Sequence, residues 1–150
     1  MISKSAFRRT LLRWYDENRR DLPWRRSSDP WSILVSEFML QQTRVETVIP
    51  YYRRFMERYP RAEAFAQADE REVLTMWAGL GYYSRARNLW RAAQSIAEAG
   101  KFPHGLENIR ELPGVGSYTA AAVASIAFDT PVGVLDGNVA RVFAFLCFNR

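Results

Sequence analysis

Leu112-Pro-Gly-Val-Gly-Ser-Tyr-Thr119 opens an alanine-rich run, and Val134-Leu-Asp-Gly-Asn-Val139 follows, with Asp136 twenty residues after Gly116. Gly114 and Gly116 can take positive φ and let another backbone come close. Pro113 fixes the chain just before the turn, and Ser117 or Thr119 is placed to cap the helix behind it. Backbone N–H groups at such a helix start face outward with the positive end of the dipole, which makes an anion site. A plain helix–turn–helix connection contains the same residue types, and a lone Gly-x-Gly would carry little. The string Leu-Pro-Gly-Val-Gly is narrower and favours a grip on a nucleic-acid phosphate.

Working outward from that turn, helical periodicity recurs and strand signals are almost absent, so the fold class is all-α. Phe7, Leu11, Trp14 and Tyr15 mark an amphipathic helix over about 4–18. Residues 21–30 form a loop, with Pro30 suited to the first turn of a helix over about 30–43. Further helices are predicted over about 45–58, 84–99, 105–111, 117–128 and 136–148, and acids at 68–72 suit another first turn. Gly79 and Gly81 interrupt the pattern, and Gly100 closes the helix before it. The stripe Val139, Val142, Phe143 and Leu146 is still running at Arg150, which reads as a chain cut short before a further C-terminal portion.

A chain of 150 residues, 48% hydrophobic, is one domain with a sizeable core. No apolar run reaches the roughly 18 residues of a membrane span, and the N-terminus has no apolar signal region. One cysteine, Cys147, excludes an internal disulfide and a four-thiolate metal site. The expectation is therefore a cytoplasmic protein without membrane partners and with no cofactor held by this chain. The net charge of +5 lies wholly in residues 1–26, where eight basic side chains face three acidic ones. Such an excess suits an anionic partner and equally a solvated helix face.

Two acids carry the chemistry. Asp136, with Gly137 and Asn138 behind it, fits a helix N-cap, and capping is compatible with catalysis because the cap holds the carboxyl rigidly. Glu37 lies in Trp31-Ser-Ile-Leu-Val-Ser-Glu-Phe-Met-Leu40, where Ile33, Glu37 and Leu40 share one helix face. Burial there raises the carboxyl's pKa and keeps it protonated near neutrality, as a general acid requires. A structural acid paired with one of the many arginines is the alternative. A protonated glutamate opposite a carboxylate is an arrangement that breaks glycosidic bonds. Beside a grip on the nucleic-acid backbone, the leaving group would be a nucleobase. Gln41, Gln42 and Thr43 add a polar edge able to enter a base stack or simply to end a helix in water. Tyr82 and Tyr83 can stack on bases, but by themselves they read as core aromatics.

The strings Leu22-Pro-Trp-Arg25, Ser36-Glu-Phe-Met-Leu-Gln-Gln-Thr43, Val48-Ile-Pro-Tyr51, Gly79-Leu-Gly-Tyr-Tyr83, Arg85-Ala-Arg-Asn-Leu89, Leu112-Pro-Gly-Val-Gly116 and Leu135-Asp-Gly-Asn-Val139 together resemble the adenine-specific mismatch DNA glycosylases of the MutY type. These belong to the helix–hairpin–helix glycosylase superfamily. The resemblance implies a six-helix-barrel fold, and it implies that Glu37 protonates adenine N7. It implies that Asp136 stabilises the oxocarbenium-like sugar or traps it covalently, with support from Tyr118 and Asn138. Arg20, Trp24, Arg25, Leu40 and Val45 match positions around the adenine pocket. Gln42 and Tyr82 match positions that probe an opposing 8-oxoguanine and wedge the duplex, beside Gln41 and Thr43. Leu112, Gly114, Val115, Gly116 and Ser117 match the hairpin that holds DNA phosphates.

The implied substrate is double-stranded DNA carrying adenine opposite 8-oxoguanine or guanine, acted on by a monomer associated with the bacterial nucleoid. Endonuclease III-type relatives place a Schiff-base lysine where Tyr118 stands. A phenol forms no imine, so base removal without strand cleavage is implied. A non-catalytic helix–hairpin–helix fragment and a bifunctional glycosylase/lyase are the alternatives. Family members continue into a four-cysteine segment holding a 4Fe–4S cluster, for which this chain has no cysteines beyond Cys147. The implied layout is a first helix over 1–18, a barrel over 19–133 containing the hairpin 112–119, and a helix carrying Asp136 over 134–150.

Overall fold

Asp29-Pro30 starts the helix on which the rest are assembled. The Asp29 carboxylate accepts from the Ser32 N–H at 2.8 Å, and Pro30 takes the first turn, where its missing N–H costs nothing. The computed structural model describes residues 3–148. Its helices are α1 (Lys4–Asn18), α2 (Pro30–Leu40), α3 (Val45–Arg58), α4 (Ala62–Ala66), α5 (Glu70–Trp77), α6 (Ser84–Ala99), α7 (Leu106–Arg110), α8 (Ser117–Phe128) and α9 (Gly137–Phe148), with a single 3-10 turn at Pro23–Arg25. Among the described residues there is no strand, and no helix is long and apolar enough to cross a membrane.

α2 is buried on nearly every side: Trp31 to Ser36, Phe38 and Met39 are all shielded from water. It packs on α3, α6 and α8, while α7 pairs with α8 and α4 with α6. One end of the core is an aromatic cluster of Trp31, Phe55, Tyr59 and Phe65, with Phe55 and Phe65 edge to face at 4.8 Å. The Trp31 indole N–H is satisfied there by the Tyr59 carbonyl at 3.1 Å. Each such pair adds about 1 kcal/mol beyond the area it buries.

The helices over 45–58, 84–99 and 117–128 stand where periodicity puts them. The acids at 68–72 do sit in a first turn, with Asp69 accepting from the Glu72 N–H at 2.7 Å. Three readings need correction. The helix over 30–43 ends at Leu40, because the carbonyls that would continue it are taken by the Arg85 side chain. The helix Ala62–Ala66 was not expected, since five residues are too few to show a period. Neither Ser117 nor Thr119 caps α8: Gly116 is its N-cap, with no side-chain cap bond, and Thr119 is buried.

α1 and α9 stand apart from this core, and neither packs along another helix among the described residues. Their apolar side chains, Leu12 on α1 and Phe145 on α9 among them, are about two-thirds exposed. Leu12→Glu is therefore expected to leave stability within about 0.5 kcal/mol, whereas Phe65→Ala, in the aromatic cluster, should cost about 3–5 kcal/mol. Urea unfolding of both variants checks this, and equal losses would contradict the separation.

Candidate active site

Glu37 is part-buried between fully buried neighbours of α2, one of three residues of that helix, with Pro30 and Leu40, that escape full burial. Ile33, Glu37 and Leu40, spaced on one face by the helical repeat, all open into a single cavity of about 1200 Å³. Its walls come from the segment around Trp24, from α8 through Tyr118 and Ala122, and from the strap before α9 through Val132 and Val134. Arg20, Trp24, Arg25, Thr43, Val45 and Asn138 also line it. Trp24 is a rigid wall, nearly buried and edge-on to Tyr52 at 5.4 Å. Arg25 donates to the Arg20 carbonyl at 3.2 Å and lies over the Tyr15 ring, while the Arg20 guanidinium reaches Glu46 at 3.6 Å across exposed surface.

Burial raises the Glu37 carboxyl to about pH 7. The arginine partner that would make it a structural acid is missing: the ion pairs among the described residues are Arg20–Glu46, Arg26–Asp21, Arg58–Glu72 and Arg87–Glu70. A half-buried carboxyl with no cation to neutralise it holds its proton, because desolvation penalises only the charged form.

Asp136 caps α9. One carboxylate oxygen accepts from the Val139 N–H at 2.8 Å, and the other accepts from the Asn138 amide at 3.3 Å. It borders the cavity through its neighbours rather than lining it. Tyr118 links the two acids: burial pushes its phenol up, and the nearby Glu37 and then Asp136 carboxylates push it the same way. The two acids thus act on one hydroxyl at the cavity's edge.

The other candidate residues lie outside the cavity, on a neighbouring edge. Gln41 is the C-cap of α2, and Gln42 is exposed with φ of 55°. Tyr82 is 64% exposed with φ of 50°, and Tyr83 is exposed as well, so both are surface residues rather than the core aromatics that composition alone suggests. Left-handed backbone costs a residue with a side chain roughly 1–2 kcal/mol. Gly79, at φ of 98°, is required, since a Cβ there would meet the Tyr51 hydroxyl at 2.1 Å, itself donating to the Ala78 carbonyl.

The hairpin is anchored from inside and open outside. Leu112 and Val115 are buried, and the Val115 N–H closes on the Leu112 carbonyl at 3.0 Å. Gly114 has φ of 75° and touches Asn88 of α6 so closely that a Cβ would fall 2.6 Å from the Asn88 Cβ. Gly116 and Ser117 are exposed, and the space where a Gly116 Cβ would stand is empty.

Two contributors went unread in the sequence. Asn88 sets the seat of the hairpin. Arg85 is 7% exposed and donates to the carbonyls of Phe38 (3.1 Å), Met39 (3.0 Å), Leu80 (2.9 Å), Gly81 (3.1 Å) and Gln41. A signal for it did exist: Arg85, Leu89, Ala92 and Ile96 share the buried spacing of α6, an odd place for a cation.

Residues 35–150 match the HhH-GPD superfamily base excision DNA repair protein family. An adenine DNA glycosylase of Rattus norvegicus is 50% identical over 149 residues, covering 92% of this chain. The chain spans only 29% of that relative's length. A thermostable thymine-DNA glycosylase superposes with a TM-score of 0.87 at 32% identity, covering 93% of this chain and 65% of that one. An endonuclease III in a non-covalent DNA complex gives 0.80 at 25% identity over the whole chain and 72% of its own.

The Glu37 carboxyl, moved from 4.5 to about 7, has a consequence for stability. Between those values the folded protein keeps a proton that the unfolded chain has released. The contribution is fully present below about pH 4.5 and is lost as pH rises through about 7, a loss of about 3 kcal/mol. Glu37→Gln is expected to be flat over this window, so urea unfolding at about pH 5 and about pH 8 should bring the variant ahead of the parent at the higher pH. Curves that keep the same separation at both values would contradict it.

Proposed function

Because the chain belongs to the HhH-GPD superfamily of base excision DNA repair proteins, we propose that it removes adenine mispaired with 8-oxoguanine or guanine from duplex DNA, as a glycosylase without lyase activity. The observation that carries this reading is Glu37: an acid without a cationic partner, protonated to about pH 7 and opening into the same cavity as Tyr118 and Asn138. The 50% identity to a protein named adenine DNA glycosylase supports the choice of base.

In this reading the adenine is flipped out of the stack into the cavity, between the Trp24 wall and the apolar Leu40 and Val45. Arg20 and Arg25 border the same space. Glu37 delivers its proton to the purine ring at N7, making the base a neutral leaving group. The N-glycosyl bond then breaks with its electron pair passing to the base, and positive charge develops on the sugar. Asp136, fixed by its capping bonds and by Asn138, stabilises that charge. Water adds at the sugar carbon and passes a proton to the Glu37 carboxylate, which restores the acid. Tyr118 supports the acids and offers no amine for an imine. The exposed start of α8, at its N-cap Gly116 and first residue Ser117, receives a phosphate of the strand on backbone N–H groups. Gln42 and Tyr82 enter the duplex, with Gln41 and Thr43 beside them.

The 4Fe–4S cluster implied by the family resemblance does not fit the residues of this chain. Cys147 is its one cysteine, and it is exposed. Among the described residues no group of three or more His, Cys, Asp or Glu side chains is placed to hold a metal ion. No step above involves the cluster.

Single-turnover adenine release from a duplex with 8-oxoguanine opposite tests the proposal. Glu37→Gln should slow release by about 10²–10⁴-fold while duplex binding persists, and the parent's rate should fall as pH rises through about 7. No release by either protein while duplex binding persists would leave a non-catalytic DNA-binding protein, and equal measurable rates would remove Glu37 from the reaction. Borohydride should trap no adduct, and strong trapping would indicate a lyase instead.

A further inference from the structure

Every hydrogen bond that the Arg85 guanidinium donates among the described residues goes to backbone, from its two terminal nitrogens, while its Nε is buried without a partner. Its acceptors fall into two groups far apart in sequence: the last carbonyls of α2 and the Gly79-Leu80-Gly81 turn. The first group ends at the Gln41 carbonyl and the second at the Gly81 carbonyl. The very next residue in each case, Gln42 or Tyr82, is forced into left-handed backbone. Among the described residues only one other non-glycine residue, Asp129, has positive φ. Gln42 and Tyr82 are both exposed, so burial of their own side chains in the core does not explain the strain. The guanidinium also lies over the Trp77 and Tyr82 rings, 5.5 and 5.6 Å from their centroids.

We infer that Arg85 is a positioning residue that locks the Gln41–Thr43 segment and the Tyr82–Tyr83 segment into one rigid edge, so that neither meets DNA without the other. The chemistry fits a cation at this place. A planar fork of N–H groups can serve carbonyls in two directions, which a point ammonium cannot. The C-terminal end of α2 carries the negative end of its dipole, so the charge is stabilised without a carboxylate. In glycosylase terms the clamp presents the two side chains to the duplex at a fixed separation, making mispair discrimination a property of the pair. That consequence rests on the function proposed above, whereas the mechanical coupling does not.

Arg85→Lys keeps the charge and removes the fork. Amide exchange at 40–44 and at 80–84 is expected to accelerate together, about tenfold or more, with α8 unchanged. Single-turnover preference for adenine opposite 8-oxoguanine over a fully paired duplex should drop about tenfold, with affinity for paired duplex within about threefold. In a Gln42→Ala/Tyr82→Ala background the same substitution should bring no further loss of preference. Loosening of one segment only, or losses that add in full, would overturn the clamp. Should Arg85→Lys not fold, Tyr82→Gly decides. This surface change relaxes one segment, and exchange at 41–43 must then change by about threefold or more, or the coupling is wrong. A parent that releases no adenine sinks the glycosylase reading, while the exchange measurements still decide the clamp.

Discussion

Burying α2 on nearly all sides is the constraint from which the other features follow. A helix this apolar has to be wrapped, and α3, α6 and α8 do the wrapping. The loop before α2 is thereby brought to the same cavity as Tyr118 of α8, and the hairpin before α8 is seated on Asn88 of α6. Wrapping leaves two polar matters unresolved: the Glu37 carboxyl, midway along, and the carbonyls at the C-terminal end. The first becomes an acid with a raised pKa, and the second become the acceptors of Arg85.

The electrostatics of the chain are arranged by exclusion as much as by attraction. Twenty-one basic side chains are present, yet none pairs with Glu37 among the described residues. Of the arginines lining its cavity, Arg20 is engaged with Glu46, Arg25 with a carbonyl and an aromatic ring, and Arg26 with Asp21. An ion pair at Glu37 would have stabilised the ionised form and removed the proton that a general acid needs. The cation that is buried, Arg85, directs both terminal nitrogens at carbonyls and so does not compete for the acid.

Much of this was legible in advance, and the reasons differ by element. Long amphipathic helices announce themselves by period, which is why α3, α6 and α8 lie where expected. The hairpin and the candidate acids were readable because glycine at positive φ and a carboxyl in an apolar run are chemically unusual. α4 is too short to show a period. The end of α2 was misread because residues 41–43 have ordinary helix propensities, and the helix is stopped by a side chain forty-four residues later. Composition alone would place Tyr82 and Tyr83 in the core because aromatic residues are common there, whereas the resemblance puts Tyr82 at the duplex, and with positive φ at Gly81 and Tyr82 both side chains stand exposed.

The sequence by itself determined the all-α class, the hairpin at 112–119, the superfamily resemblance and the candidate acids, since residue type and spacing act locally. Tertiary structure alone decided that Glu37 shares a cavity with Tyr118 and Asn138, that Asp136 stands at its border, and which carbonyls Arg85 serves. Periodicity states which residues share a helix face but not which faces meet. A guanidinium bound to backbone carbonyls leaves no mark in the residue types of its partners.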